Sequence, residues 1–338
     1  MLLYIHIPFC DSKCNYCSFN SYVDKFDLVS QYFDALLVQL EKELRSLSCE
    51  IQTVFIGGGT PSAVDAKYYK KIFDLLGANI KEITVEANPN SASSKWQEQM
   101  ARYGVNRISF GVQSFDAKKL HHLNRSHSPQ GAFEAINIAK QNFCDISIDL
   151  LYNCAVDSHE LLRKDLEQFF ALDIGHLSAY ELTPQKGTKF ENLQLEQDRY
   201  GEYIFDLMAS SGFKQYEVAN YGKPSLHNLG YWEYKEYIGI GAGAVGMVGS
   251  SRYKPYEDIG AYIQDPTYKE FEHLLQEDIE MEKIFLGLRS QVGFVPANIE
   301  VEKRAKELED RGKLIKIKNR YYNPNFFLAD ALSLYLLK

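Results

Sequence analysis

The chain has 338 residues, of which 45% are hydrophobic and 13% aromatic, a composition that excludes a disordered or fibrous protein. Its 37 Lys and Arg against 45 Asp and Glu give a net charge of −8, which argues against nucleic acid or an anionic membrane as a partner. Since it has neither a signal-peptide pattern nor an apolar run approaching the roughly 20 residues that span a bilayer, we expect a cytoplasmic protein.

Apolar, β-branched runs alternate with stretches of helical period over the first two thirds of the chain. This alternation is typical of βαβ units around a parallel sheet. The predicted strands are Leu2–Ile7, Thr53–Ile56, Glu82–Glu86, Arg107–Gly111, Ile146–Leu151 and Leu177–Leu182. The predicted helices are Leu28–Leu47, Ala66–Leu76, Ser94–Tyr103, Pro129–Asn142, Glu160–Leu172 and Gln197–Ser211. Six units fall short of a closed eight-fold barrel, so we expect an α/β partial barrel, open on one side, with its active site in the loops after the strands.

The composition changes after residue 212. Residues 213–275 are rich in aromatic residues and glycine, which predicts a bridging segment or lid after a core domain over 1–212. The last part, 276–338, is predicted to be a small α+β domain resembling a winged helix. Its predicted elements are helices at Ile279–Leu288 and Ile299–Arg311, a hairpin over Leu314–Asn323 that turns at Lys318–Asn319, and a terminal helix. The acidic helices of this domain argue against DNA reading.

Three of the six cysteines lie within eight positions directly after the first strand: Cys10, Cys14 and Cys17. Three thiolates on one loop suit an iron–sulfur cluster or another thiophilic metal. A zinc site would need a fourth ligand, for which His6 or a distant residue would have to serve, and unrelated buried cysteines are a further alternative. The remaining cysteines are interpreted as small buried hydrophobic residues: Cys49, Cys144 and Cys154.

The C-x-x-x-C-x-x-C loop, with Tyr16 between its last two cysteines, is similar to that of the radical S-adenosylmethionine (SAM) superfamily. The resemblance implies a [4Fe-4S] cluster held by the three cysteines, SAM bound at the iron without a cysteine, and an electron donor if SAM is cleaved. Further segments resemble, over nearly the whole chain, the branch of oxygen-independent coproporphyrinogen III oxidase and its relatives. They are YIHIPFC (4–10), GGGTPS (57–62), VEANP (85–89), RISFGVQSF (107–115), LNRSHS (123–128), SIDLLY (147–152), LSAYELT (177–183) and HNLGYWEY (227–234).

The resemblance also implies which residues contact SAM, all of them on the strands or in the loops that follow. They are Tyr4, Tyr16, Gly58, Gly59, Thr60, Glu86, Gln113, Arg125 and Asp149. Glycines let the backbone approach a ligand closely, and carboxylates and a guanidinium can bind its amine and carboxylate groups. Taken singly, each of these residues is equally explained as a turn, cap or surface residue.

Two departures from the oxidases bear on function. The oxidases carry a fourth cysteine where this chain has Phe19, and they have an N-terminal extension that this chain lacks. Both departures are shared by the group of heme chaperones called HemW, which the sequence resembles most closely. That group carries an H-N-x-x-Y-W motif, present here from His227 to Trp232. The motif implies heme at or near it, with His227 as the candidate ligand, although a histidine in an aromatic segment is also commonly just a hydrogen-bonded structural residue.

The leading hypothesis is therefore a cytoplasmic heme chaperone that binds a [4Fe-4S] cluster, SAM and heme, and passes heme to acceptor proteins. Contact with a membrane is expected only through an acceptor. The alternatives are oxidative decarboxylation of coproporphyrinogen III and radical chemistry on another substrate, and no catalytic residue is assigned. Relatives commonly have Gly-Leu-Pro where this chain has Asn153-Cys154-Ala155, and a histidine where it has Val245. The placement of the cofactors or the handling of heme can therefore differ between this chain and its relatives.

Overall fold

The computed structural model describes residues 1–77, 79–194 and 199–338, and in these residues eleven strands form one open sheet. Six consecutive strands are parallel and lie side by side in chain order. They are β1 (Leu2–Ile7), β2 (Thr53–Gly58), β3 (Glu82–Ala87), β4 (Arg107–Gln113), β5 (Asp145–Tyr152) and β6 (His176–Glu181). The predicted partial barrel of six strand–helix units is thus confirmed.

Helices connect these strands and pack on the outer face of the sheet. They are α1 (Val29–Ser46), α2 (Lys70–Leu76), α3 (Ser94–Arg102), α4 (Ala117–His122), α5 (Pro129–Asn142), α6 (His159–Ala171) and α7 (Tyr200–Ser210). Side chains that accept a backbone N–H mark several starts, such as Ser93 for α3 and Ser128 for α5. The six-residue α4 is too short for its period to predict it. Residues 197 and 198 of the predicted helix over 197–211 lie outside the described residues.

Side chains alternate between the two faces of each strand. On β1, Leu3, Ile5 and Ile7 are buried in the main hydrophobic core with the helices. Tyr4 and His6 point to the opposite face, which is the interior of the barrel. The next five strands line that interior largely with polar residues, and this hollow, polar interior is where a ligand can be held.

Residues 213–275 continue the same sheet at both edges. β7 (Asn220–Gly222) pairs antiparallel with β6, and β8 (Tyr237–Ile240) pairs parallel with β1. Beyond β8 lie three short antiparallel strands, β9 (Gly246–Val248), β10 (Ser251–Lys254) and β11 (Glu270–His273). The segment also contains α8 (Leu226–Trp232) and α9 (Ile259–Gln264). Because this segment shares the sheet of the preceding residues, the domain boundaries at 212 and 275 stay a prediction.

The C-terminal part has the predicted order of two helices, a hairpin and a terminal helix. Its elements are α10 (Gln276–Leu288), α11 (Ile299–Asp310), β12 (Ile315–Ile317), β13 (Arg320–Tyr322) and α12 (Ala329–Leu336). They enclose a hydrophobic cluster of their own, with Leu288, Ala305 and Leu336 fully buried. Nowhere in the described ranges is there a helix with the length and apolar character needed to cross a bilayer.

The scattered cysteines depart in part from expectation. Cys154 is buried as predicted, but Cys49 and Cys144 are exposed, so the prediction that they are buried is wrong. Cys49 lies in the connection from α1 to β2 and Cys144 lies between α5 and β5. Such connections run over the surface, where a small apolar side chain is tolerated without burial.

Candidate functional site

The cysteine loop, residues 8–22, follows β1 at the carboxyl ends of the parallel strands, where barrels build their sites. The loop is closed at its base, because Tyr22 donates its N–H to the Pro8 carbonyl at 2.7 Å and Cys10 donates to the Tyr22 carbonyl at 3.0 Å. Within the loop, the N–H of Cys17 donates to the Cys14 carbonyl at 3.3 Å. The three predicted ligands are thus held on one short, self-bonded segment.

Each thiol has a distinct environment. Cys10 Sγ lies 3.3 Å from Thr60 Oγ1, and Arg125 donates from Nη1 to Cys14 Sγ at 3.2 Å. Burial raises the pKa of Cys10 and of Cys17. In the part of the chain that the structure describes, no three His, Cys, Asp or Glu side chains converge closely enough to hold a metal ion. A [4Fe-4S] cluster binds each cysteine through a different iron, so its thiols stand further apart than the ligands of one ion. Three thiols beside a guanidinium therefore fit a cluster.

His6 does not serve as a fourth ligand beside the cysteines. Its Nε2 lies 2.9 Å from the carbonyl oxygen of Asn20, and its Nδ1 lies 2.9 Å from the hydroxyl of Tyr4. Because a carbonyl only accepts, Nε2 carries the proton and Nδ1 accepts from Tyr4. Both ring nitrogens are therefore engaged, and the zinc alternative gains no support from His6.

The segment after α4 fixes the cysteine loop in place. Asn15 donates its N–H to the Leu123 carbonyl at 3.1 Å and its side-chain amide to the His122 carbonyl at 2.8 Å. In the reverse direction, Asn124 Nδ2 donates to the Lys13 carbonyl at 2.7 Å. These contacts explain why the LNRSHS segment accompanies the cysteine motif. The sequence reasoning missed Asn15 and Asn124, although both lie within segments it singled out.

A hydrogen-bonded path connects two of the cysteines. Arg125 contacts Cys14 and also donates to Asn88 Oδ1 and to the Gly111 carbonyl. Asn88 Nδ2 in turn donates to Thr60 Oγ1 at 3.3 Å, and Thr60 contacts Cys10. Arg125 therefore links the cysteine loop to Asn88 and β4, and its contact with SAM stays a prediction. Asn88 was not predicted, although it lies in the VEANP segment.

The glycines after β2 are required first by packing. A Cβ on Gly59 would lie 2.8 Å from the Phe9 carbonyl oxygen, so only glycine lets this loop lie against the end of β1. Gly58 has a φ of +115° and donates its N–H to Glu86 Oε2 at 3.1 Å. Contact of Gly58, Gly59 and Thr60 with SAM stays a prediction.

The carboxyl groups of Glu86 and Asp149 lie close enough inside the barrel for the charge of Asp149 to affect the pKa of Glu86. Burial, reinforced by the nearby Asp149, raises the pKa of Glu86 to about 8. Burial also raises the pKa of Asp149 to about 6, although Ser109 donates to it at 3.2 Å. A cation between the two carboxyl groups would stabilise both ionised forms. SAM carries a sulfonium and an ammonium group, so this pair fits the predicted ligand.

The remaining SAM-site predictions lie on the same side of the barrel. Gln113 has a φ of +69°, at an irregularity where the register of β4 against β5 shifts. Such bulges redirect side chains near functional sites, and a non-glycine residue in this region is strained. Tyr16 packs against a small buried cluster that includes Leu123 and Leu151, and burial raises its pKa. Both roles toward SAM stay predictions.

Tyr4 lines a second feature, an aromatic cavity of about 610 Å³. Six aromatic residues form much of its wall: Tyr4, Phe55, Tyr231, Tyr234, Tyr237 and Phe285. The cavity lies beside α8, whose first N–H groups, those of Leu226 and His227, donate to the carboxylate of Glu82 at the start of β3. The aromatic density of residues 216–237 was a signal for such a site, but the contributions of Tyr4, Phe55 and Phe285 were not predicted.

His227 does not face this cavity. Its side chain is 0% exposed, with Nδ1 2.8 Å from Thr53 Oγ1 and Nε2 3.0 Å from the Tyr231 hydroxyl. Burial lowers its pKa to about 3. Thr53 begins β2, so His227 lies at the opposite end of the strands from the cysteines. The structure therefore separates this predicted residue from the cysteine loop, while Asn228 and Tyr231 of the same motif line the cavity.

The structure shows the surroundings of the two positions, Asn153 and Val245, at which this chain differs from the residues common in its relatives. Asn153 has a φ of +65°, and asparagine tolerates this left-handed conformation best after glycine, which is the residue common in relatives. Its side chain donates to Glu181 at 2.9 Å. Val245 lines the aromatic cavity. Asn153 thus adopts a backbone conformation that glycine also adopts, whereas Val245 places an aliphatic side chain in the cavity wall.

Comparisons with known proteins agree with this architecture. The model of the Radical SAM superfamily matches residues 4–154. The heme chaperone HemW of Lactococcus lactis subsp. lactis (strain IL1403) is 35% identical over 321 residues, which is 88% of this chain and 83% of that protein. The heme chaperone HemW of Escherichia coli (strain K12) is 39% identical over 263 residues, covering 73% of this chain and 70% of that protein. Coproporphyrinogen III oxidase (HemN) from Escherichia coli, a radical SAM enzyme, superimposes with a TM-score of 0.83 at 19% identity. That superposition covers 99% of this chain and 89% of the oxidase chain, and it shows the shared fold.

Proposed function

The chain belongs to the HemW heme chaperone family within the radical SAM superfamily, and we propose on that premise that it binds heme and passes it to acceptor proteins. Its relatives of 35% and 39% identity carry that activity in their names. The acceptor is a protein whose own heme site takes over the ligand. Heme is the cargo of this activity, distinct from the cofactors bound in the barrel.

The observation that carries the proposal is the aromatic cavity formed by the H-N-x-x-Y-W motif and the strands behind it. Its volume of about 610 Å³ lies in the range of pockets that bind small cofactors, roughly 300–1,000 Å³. Aromatic rings such as Tyr231 and Phe285 suit the flat, apolar faces of a porphyrin. Lys235 and Arg252 provide positive charge at the same wall, and heme carries two propionates. Shape, apolar surface and charge thus all match one ligand class.

Within this proposal His227 acts through its neighbour. Its ring packs against that of Phe55 with centroids 5.4 Å apart and a tilt of 37°, and its Nε2 contacts the hydroxyl of Tyr231. It thereby fixes two rings of the cavity wall. To ligate heme iron, as the sequence suggested, His227 would have to free one ring nitrogen from Thr53 or from Tyr231. We therefore propose heme contact through Tyr231 and Asn228, with His227 as a positioning residue.

Membership of the radical SAM superfamily implies a [4Fe-4S] cluster and SAM, and the barrel offers a place for both. The cluster would be held by Cys10, Cys14 and Cys17. The proposed SAM residues are those listed from the sequence, with Glu86 and Asp149 meeting its positive charge. When bound, the cluster supplies an electron and SAM a bond that this electron can cleave. Arg125 holds Cys14 and Asn88 together, so it orders the site before either group is bound.

Heme loading followed by transfer tests the proposal. The reconstituted protein is loaded with one equivalent of heme, separated from free heme, and mixed with apomyoglobin as a heme acceptor. We expect stoichiometric loading and a shift of the Soret band to that of myoglobin. Loading no better than that of a generic protein control would reject a chaperone. Heme that is never transferred to apomyoglobin would reject it as well. Incubation with coproporphyrinogen III, SAM and a reductant checks the alternative, and a decarboxylated product would favour the oxidase reading.

A further inference from the structure

Three charged side chains line the aromatic cavity: Lys235, Arg252 and Glu282. Arg252 on β10 donates from Nη2 to both carboxylate oxygens of Glu282 on α10, at 2.7 and 2.9 Å. Glu282 also accepts the hydroxyl of Tyr234 at 2.7 Å. One carboxylate therefore ties the sheet and the cavity wall to the first helix of the C-terminal part.

Both cations of this wall have acidic partners, and only one of these acids belongs to the wall. Lys235 pairs at 2.5 Å with Glu233, which does not line the aromatic cavity. Arg252 has a further, weaker contact with Glu272 at 3.2 Å, and Glu272 is 62% exposed on the neighbouring strand. The wall itself thus presents two cations and one anion. Such a wall favours a ligand that brings carboxylates of its own.

Water reaches both members of the Arg252–Glu282 pair. The two side chains are 28% and 29% exposed, so water can solvate either group once they part. Opening a pair that water reaches costs less than opening a fully buried pair, whose separation leaves an uncompensated charge. An incoming carboxylate can therefore replace Glu282 on Arg252.

We propose, resting on the proposed heme function, that Arg252 and Lys235 bind the carboxylate groups of the tetrapyrrole in the aromatic cavity, and that Glu282 competes with the ligand for Arg252. The guanidinium offers a planar pair of donors that matches a carboxylate in either partner. Exchange of partners separates Glu282 from Arg252, so an occupied cavity has a looser tie between β10 and α10. The cavity consequently selects tetrapyrroles with free carboxylates over their esters.

Titrations with heme and with heme dimethyl ester, followed by Soret absorbance, test this exchange. The two ligands share the macrocycle and iron and differ only in the charge of the propionates. Four proteins are compared: wild type, Arg252→Gln, Glu282→Gln and, as a control, Glu277→Gln, which changes an exposed carboxylate on the same helix. We expect wild type and Glu277→Gln to prefer heme over the ester about tenfold, the value of one charge-assisted hydrogen bond.

The two cavity variants move this preference in opposite directions. Arg252→Gln reduces the preference to less than about twofold while leaving the affinity for the ester unchanged. Glu282→Gln tightens binding of heme by several-fold and leaves the ester unaffected, because the competing carboxylate is gone. Equal affinity of wild type for the two ligands, or equal weakening of both by Arg252→Gln, would overturn the inference. Absence of binding by either ligand to all four proteins would instead reject the heme proposal itself.

Discussion

The hydroxyl of Tyr4 lies 2.9 Å from Nδ1 of His6, and this contact joins the aromatic cavity to the cysteine loop. The ring of Tyr4 lines the cavity, while Nε2 of His6 contacts the carbonyl of Asn20 in the loop. Two adjacent inward-facing residues of β1 thus connect two sites that lie toward different ends of the barrel.

Tyr4→Phe should loosen the cysteine loop without unfolding the protein. The change removes one hydrogen bond to His6, which is worth about 1 kcal/mol, and leaves the aromatic packing intact. We expect faster amide hydrogen exchange in peptides that contain residues 19–22. Tyr335→Phe, which removes a hydroxyl contact with Glu307 in the C-terminal part, is the matched control. Identical exchange of residues 19–22 in both variants would show that the hydrogen bond between Tyr4 and His6 does not stabilise the cysteine loop.

Cys14→Ala should prevent assembly of the iron–sulfur cluster. It removes one of three thiols and leaves Arg125 without its sulfur partner. We expect the reconstituted variant to lose iron, sulfide and the cluster's visible absorbance, whereas Cys49→Ala, at an exposed cysteine, should keep all three. A full complement of iron and sulfide in Cys14→Ala would show that the ligand assignment is wrong.

The ligand-free protein should lose stability as the pH rises from 7 to 8. The pKa of Glu86 is raised by burial from 4.5 to about 8, so the folded state binds more protons than the unfolded state in this window. Each extra proton that the folded state binds lowers the free energy of unfolding by about 1.4 kcal/mol per unit rise in pH. The histidines with lowered pKa, such as His127 at about 4, act in the opposite sense around pH 6.5, where their unfolded forms bind protons, and this effect fades as the pH rises above 7.

Urea unfolding at pH 7, 7.5 and 8 measures this slope, and Glu86→Gln should flatten it. The control is Glu300→Gln, at an exposed carboxylate of α11, which should leave the slope as in wild type. Burial also raises the pKa of Glu217 to about 7, so a smaller slope that fades toward pH 8 should survive in Glu86→Gln. A slope that is unchanged above pH 7 in this variant would contradict the account of Glu86.

Val245→His should change heme binding at the cavity. Among the described residues that line it there is no histidine, so wild type offers heme iron no imidazole there. An imidazole at position 245 adds an axial ligand, which should tighten heme binding about tenfold and shift the Soret band. Val248→His, at an exposed position of β9, is the control. Equal spectra of the two variants would place the heme elsewhere.

The sequence predicted the six parallel strands well because their residues are continuous apolar or alternating runs, as in Leu2–Ile7. It did not predict β7 to β11, since strands of three or four residues are too short to show a period. Of the site, the cysteines and Arg125 followed from local motifs. Asn88 and the cavity wall did not, because their contacts join residues far apart in the chain, such as Arg252 and Glu282. His227 was predicted from the H-N-x-x-Y-W motif, of which Asn228 and Tyr231 line the cavity.

Occupation of the aromatic cavity by heme can be measured by an anaerobic heme titration of wild type beside Tyr231→Ala and Tyr335→Ala. Tyr231 lines the cavity, whereas Tyr335 belongs to the separate C-terminal cluster. We predict saturable binding of one heme to wild type and Tyr335→Ala, and binding at least about tenfold weaker to Tyr231→Ala. Equal, stoichiometric binding by all three proteins would contradict occupation of the cavity by heme.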